Sequence, residues 1–366
     1  MSHVESERAS GEQIYSGAVM MDLSNYYEHV SRPKLLVRAD SLQFPASLLP
    51  LLINMYQSRR FVTLGGLAQR SGFPARGIPA GCSFATFLVQ ALSLQPLVRL
   101  QLAHPHVPTG MFIDDVMMRA LGASYRQVID RLVPAVQAMH RLITDDLGCQ
   151  VAAHKTVVVA SHPKPQAQLH AAFGPQGGAL QRGAASNLGV DYFSGALRRL
   201  KASRTQLRLR GARLRKRRHK NRVLKDAGAS VLSLWKTGPN SYGHYGAQVL
   251  GQPDLELQQT QAEFLRWAGA NLETRSGTLS LLLHEDPSWA TGAGPLLVWG
   301  SICWRAHTCP RSSQIHSLPQ LARLARPVLA SPPQSWQQVR GPLGATYWSV
   351  LRLNWRWSSP FAVTTD

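Results

Sequence analysis

The spacing of apolar residues over the first 195 positions changes several times, and each change predicts an element. Val19, Met20 and Met21 form an apolar run that stops at Asp22, the mark of a strand ending in charge, and a polar turn with two tyrosines follows. The helix after Ser31 is expected to end near Pro45. The next one buries Leu48, Leu49, Leu52, Ile53 and Tyr56 on a single face. Arg60 to Gly66 reads as a strand running into a turn, and RGIPAGCSFATFLVQAL, Arg76 to Leu92, as a glycine-punctuated loop opening into a buried helix. That helix is expected to reach about Leu100, with a kink at Pro96. In TGMFIDDVMM, Thr109 to Met118, two short apolar runs flank Asp114 and Asp115, as in a hairpin whose tip holds charge beside a buried sheet. Val128, Leu132, Val136, Met139 and Ile143 then recur at three- and four-residue steps, one helical face packed on a sheet, and Gly148 ends it. Gln150 to Ser161 contains a β-branched strand beginning just after Lys155, and Ser186 to Phe193 a short strand pair.

The order strand, helices, hairpin, helix, hairpin, helix, strand predicts an α+β fold. All nine tryptophans fall at or after Trp235, a shift that marks a boundary near residue 230. Beyond it a helix is expected from Pro253 and Asp254 to Trp267, and Ser331 to Trp336 reads as a linker or turn. The expected divisions are a poorly ordered 1–17, a mixed domain 18–195, a basic helical segment 196–228, a helical region 229–330 and a tail 331–366. The Trp-rich tail, with Trp348, Trp355 and Trp357, is expected to pack a core rather than stack on bases.

Charge changes this picture. The chain carries 40 Lys and Arg against 20 Asp and Glu, a net charge of +20, which implies a partner of opposite sign. Residues 198–225 hold 14 of those cations and no acid, leaving 26 against 20 elsewhere. Leucines interleave with the cations there, so helices can bury Leu and offer charge to a phosphate backbone. The stretch RLRKRRHK, Arg213 to Lys220, also reads as a nuclear import signal. No apolar run is long enough to cross a bilayer, the first ten residues lack the pattern of a secretory signal, and four scattered cysteines make no disulfide framework. An intracellular protein of the nucleus or cytoplasm, without a membrane partner, is expected. Cys303, Cys309, His307 and His316 lack the paired clamp of a zinc site.

Asp22, Asp114 and Asp115 are the candidate chemistry. Nucleotidyl transfer needs a primer hydroxyl made nucleophilic and a pentavalent phosphate whose charge is neutralised. Two divalent ions about 4 Å apart do both when carboxylates from separate strands hold them. Asp22 and Asp114 are assigned as ligands of both ions, with Asp115 as secondary ligand or electrostatic support. Magnesium suits these hard oxygens, with manganese as the substitute. A second acidic pair, Asp145 and Asp146, is read as solvent-exposed.

In order and spacing these stretches resemble polymerase blocks A to E of reverse transcriptases, especially those of non-long-terminal-repeat retrotransposons and group II introns. DLSNYYEHV resembles block A and places Tyr27 where an aromatic ring screens out a ribose 2′-hydroxyl. RGIPAGCSFA resembles block B, with Gly77, Gly81 and Cys82 at matching positions and Ala80 where glutamine is common; Tyr27, Gly77, Ala80 and Gly81 would line the nucleotide site. FIDD resembles block C, with Phe112 where relatives often have Tyr. LGCQVAAHKTVVV resembles block D and places Lys155 to protonate departing pyrophosphate. NLGVDYF resembles the primer grip of block E, carried by Leu188, Gly189 and Val190. The resemblance covers roughly residues 15 to 195.

The resemblance implies a right-hand polymerase palm, an antiparallel sheet with helices on one face. A basic helical thumb and a mostly helical, Trp-rich C-terminal region would follow. It also implies an RNA-directed DNA polymerase using deoxynucleoside triphosphates, an RNA template and a DNA or RNA primer. Arg208, Arg210, Arg213, Arg215, Lys216, Arg217, Arg218 and Lys220 would grip nucleic acid. Only 21 residues precede Asp22, with Arg8 the sole Lys or Arg among them, so the fingers expected there are incomplete and the chain reads as N-terminally truncated. The competing reading is a non-catalytic nucleic-acid-binding remnant.

Overall fold

The computed structural model describes residues 14–173 except 60, 71 and 162; 179–180, 184–187 and 190–193; separated positions between 209 and 240; and 241–365 except 268–275, 285 and 310–316. The chain divides into two compact units, Gln13–Arg182 and a second whose described part lies within Gly183–Asp366.

The first unit is built on one sheet in the order β4-β5-β1-β7-β8, with β6 pairing the far end of β1. The strands are β1 (Tyr15–Ser24), β4 (Thr109–Phe112), β5 (Asp115–Gly122), β6 (Gln150–Val151), β7 (Val157–Ala160) and β8 (Ala179–Leu180). Pairing is antiparallel except for β7 with β8. β5 alternates buried and half-buried positions, and its buried residues Val116, Met118 and Ala120 belong to the main core. The helix Tyr125–Arg141 packs against β5 and β1, and Pro163–Phe173 packs against β7. Gly17 shows how closely they meet: a Cβ there would lie 2.9 Å from Val128 and 3.1 Å from Leu169. Helices thus cover one face of a mainly antiparallel sheet, which agrees with the α+β order that the sequence pattern predicted.

Local chemistry explains the boundaries. Ser124 caps the Tyr125–Arg141 helix by accepting from the Gln127 amide at 3.2 Å. A π-helical turn, Leu142–Asp146, extends that helix, and Gly148 in the left-handed region at φ 68° ends it. Asp145 is exposed as expected, and Asp146, its side chain 41% exposed, also accepts from Arg38 on both oxygens at 2.6 and 2.7 Å. Lys34 adds a contact to its carbonyl. The helix Ala85–Ala103 runs through Pro96 and ends three residues beyond Leu100. Arg60–Gly66 becomes β2 (Phe61–Leu64) and pairs with β3 (Leu67–Arg70) across Gly65 and Gly66, both with positive φ as a two-residue hairpin turn requires.

The domain boundary expected at 195 differs from the division at Arg182 and Gly183, because the main sheet ends at β8. β9 (Ala184–Asn187) and β10 (Val190–Phe193), the expected strand pair, bond only to each other and fall in the second unit. The tail 331–366 is not separate from 229–330. Leu343 and Val350 of the helix Gly341–Arg352, and Trp357 of β11 (Trp355–Ser359), share one core with Trp299, Leu321 and Ala325. Of the three tail tryptophans expected to pack, Trp357 is buried edge to face on Trp299 at 5.8 Å and Trp348 packs on Trp336 at 6.2 Å, whereas Trp355 is 36% exposed; Trp235 packs on Phe264 at 5.1 Å. The helix Asp254–Trp267 has the predicted limits. Among the described residues no helix is long and apolar enough to cross a membrane.

Candidate active site

β1 and β5 run antiparallel in a register that sets Asp22 directly opposite Asp115, with Met20 opposite Met117 and Ala18 opposite Arg119. Side chains alternate along a strand, so these positions share the sheet face turned away from Val116, Met118 and the helices. β4 and β5 are joined by the two-residue turn Ile113–Asp114, and the Leu23 amide donates to the Asp114 carbonyl at 2.9 Å. The third acid is therefore tied to the end of β1 as well. Ile113 occupies the turn at φ 58°, a strained conformation for a β-branched residue, which the surrounding core contacts hold in place.

Lys155 completes the cluster. β6 pairs Val151 with Leu23, the Ala152 amide donates to the Asp22 carbonyl at 2.8 Å, and a 3-10 turn, Ala153–Lys155, brings the ammonium onto Asp22. Lys155 Nζ donates to both Asp22 oxygens, at 2.9 and 3.1 Å. Burial pushes the Asp115 carboxyl above its ordinary value, the charges of Asp114 and Asp22 push it further, and Lys155 opposes them. Bonding to Asp22 raises Lys155, so its ammonium is held protonated.

These carboxylates therefore sense one another, and oxygens of this kind are the donors that a hard divalent cation takes. Among the described residues no three His, Cys, Asp or Glu side chains are grouped so as to hold a metal as they stand. Lys155 occupies both oxygens of Asp22 instead.

Tyr27 and the glycine loop adjoin. Tyr26 is 2% exposed and belongs to the core, whereas Tyr27 is half-buried, packed at the core edge with its ring 6.3 Å from that of Tyr26. The loop is stitched to this segment by the Ile78 amide donating to the Tyr27 carbonyl and the Gly77 amide to the Val30 carbonyl, both at 2.9 Å. Gly77 has φ +87°, and a Cβ there would lie 2.9 Å from both Cα and O of Glu28. Only glycine fits that approach. Ala80 and Gly81 are exposed beyond it, and Tyr56 Oη contacts Cys82 Sγ at 3.0 Å.

Sequence reasoning missed Arg32. It begins the helix Arg32–Ser41, is 4% exposed, and donates to four carbonyls: Gly77 and Pro74 at 2.8 Å, Tyr56 and Arg76 at 3.0 Å. Its only sequence signal is an arginine before a helix-starting proline, which describes many surface residues equally well.

The remaining site residues belong to the second unit. Val190 opens β10, and Leu188 and Gly189 lie outside the described residues. Arg210 donates to the Tyr245 carbonyl at 2.9 Å and lies over the Tyr245 ring at 5.0 Å, while Arg213 donates to Tyr242 Oη at 3.2 Å. Arg208, Arg215, Lys216, Arg217, Arg218 and Lys220 lie outside the described residues.

Fold and site together define an α+β unit with three carboxylates and a lysine gathered at one end of an antiparallel sheet. No protein-family model matches the chain, and no curated protein sequence does. Among solved structures, telomerase from Candida albicans, in complex with a TWJ fragment of telomeric RNA, is similar at a TM-score of 0.33 and 10% identity, over 85% of this chain and 51% of that one. The chain thus spans about half the length of that telomerase. A likeness at that level fixes neither family nor activity.

Proposed function

We propose that the chain is an RNA-directed DNA polymerase of retroelement origin, with Gln13–Arg182 as its palm. The observation that carries this reading is the register: Asp22 faces Asp115 across paired strands, Asp114 sits in the adjoining turn, and Lys155 reaches back to the same carboxylate. Acids brought together from separate strands are what transfer of a nucleotidyl group to a primer hydroxyl demands.

In this reading Asp22 and Asp114 hold magnesium, with manganese as substitute, and Asp115 supports them. The ions, when bound, would lower the pKa of the primer hydroxyl and neutralise charge on the triphosphate. Lys155 leaves Asp22 for the triphosphate and, as an ammonium, donates its proton to the departing pyrophosphate. Tyr27, half-exposed beside the loop, presents its ring to the sugar, and Gly77, Ala80 and Gly81 let the backbone approach base and template. Template and primer are gripped by Leu188, Gly189 and Val190 and by the basic run 198–225, through contacts that read charge rather than sequence.

The second reading, a non-catalytic nucleic-acid-binding protein, is favoured by the Lys155–Asp22 pair and by the absence, among the described residues, of three acids grouped to hold a metal. Primer extension on an RNA template with deoxynucleotides and magnesium separates the two. The polymerase reading predicts incorporation that vanishes in Asp114→Ala. Template binding by both proteins, with extension by neither, supports the second reading.

A further inference from the structure

We propose that Arg32 is the positioning residue of the nucleotide pocket, fixing the glycine loop against the segment that carries Tyr27. The proposal rests on the polymerase reading for what the pocket binds, and on the side-chain geometry for what Arg32 does.

A guanidinium offers five donors in one rigid plane, and an ordered loop whose carbonyls turn inward is a natural acceptor for it. Three of the four carbonyls that Arg32 engages, Pro74, Arg76 and Gly77, come from that loop, so the chain curls around the cation; the fourth, Tyr56, comes from the end of the helix Leu48–Gln57. Gly77 and Ile78 bond through their amides to the Val30 and Tyr27 carbonyls, just before Arg32 itself. The loop is therefore gripped on its acceptor side by Arg32 and on its donor side by the chain immediately preceding Arg32. One residue at a helix start thus fixes where the Gly77 backbone lies against the segment that carries Tyr27. In the polymerase reading that placement sets the room left for a sugar beside the Tyr27 ring.

Removing the donors while keeping the stem's bulk leaves four carbonyls to find other partners, and the loop loosens. With Arg32→Met, amide hydrogen exchange at Gly77 and Ile78 should accelerate while amides of β1 and β5 keep their protection. In primer extension the KM for deoxynucleotide should rise about tenfold with kcat changed less than about twofold, and the preference over ribonucleotide should fall. Arg32→Lys, which keeps the charge but not the fork, should fall between wild type and Arg32→Met, and carries the comparison if the methionine variant does not fold. A merely structural role would lower the active fraction, hence kcat, at unchanged KM. That result, or unaltered exchange at Gly77 and Ile78, overturns the proposal. A wild-type chain that extends no primer defeats the polymerase reading instead, and the exchange comparison then decides the placement role of Arg32 by itself.

Discussion

Asp115 shows at the scale of one residue what the candidate site costs the fold. Its carboxyl is raised above the ordinary 3.8 by burial and by its two acidic neighbours. The folded chain therefore holds this proton more tightly than the unfolded chain does. The stability it contributes is complete below the unfolded value and is lost as pH rises through the raised folded value. Asp115→Asn, neutral and of the same shape, should raise Tm at pH 7, by a modest amount because the group is partly exposed. The gain should shrink on acidification through the carboxylate range, and thermal melts of both proteins across that range check the sign. The acids themselves were legible because each ends an apolar run. Ile113 and Arg32 were not, since left-handed strain and a buried guanidinium depend on neighbours that no local pattern names.

Among elements, legibility followed length and period. The helix Tyr125–Arg141 and the strands β1 and β5 repeat their apolar positions often enough to be read directly, and their burial patterns match. β6 and β8 are two residues each, too short for any period, yet β6 sets where Lys155 meets Asp22. The loop that opens at Arg76 was visible as glycine punctuation, but the seat of Gly77 against Glu28 was not. That seat gives an element-scale prediction. Gly77→Ala forces a Cβ onto main-chain atoms of Glu28 and Tyr27 at 2.9 to 3.0 Å, in a backbone conformation that already disfavours it. Neither partner is a flexible side chain, so the cost should be on the order of 2 kcal/mol or more in denaturant unfolding. Gly81→Ala, at φ +86° with open space around its Cβ, carries only the backbone strain and should cost about half as much. Equal losses at the two positions would count against the close approach.

For the whole molecule, the sequence read the first unit's architecture well and its limits poorly. Composition placed a boundary near 230, where tryptophan begins, whereas the contacts divide the chain between Arg182 and Gly183. Tryptophan abundance reports how a core is filled rather than where one starts, and the same residues join the expected tail to the helices before it. For function we propose something narrower than either unit: Asp22, Asp114 and Asp115 share a cation, with Lys155 as the group that yields to it. The most direct measurement is a titration with manganese followed by electron paramagnetic resonance, on the wild-type chain and on Asp22→Asn, with deoxynucleoside triphosphate present. The account predicts saturable binding of about two ions by the wild-type mixture beyond what the nucleotide alone takes up, and its loss in Asp22→Asn. Identical titrations for the two proteins would contradict it.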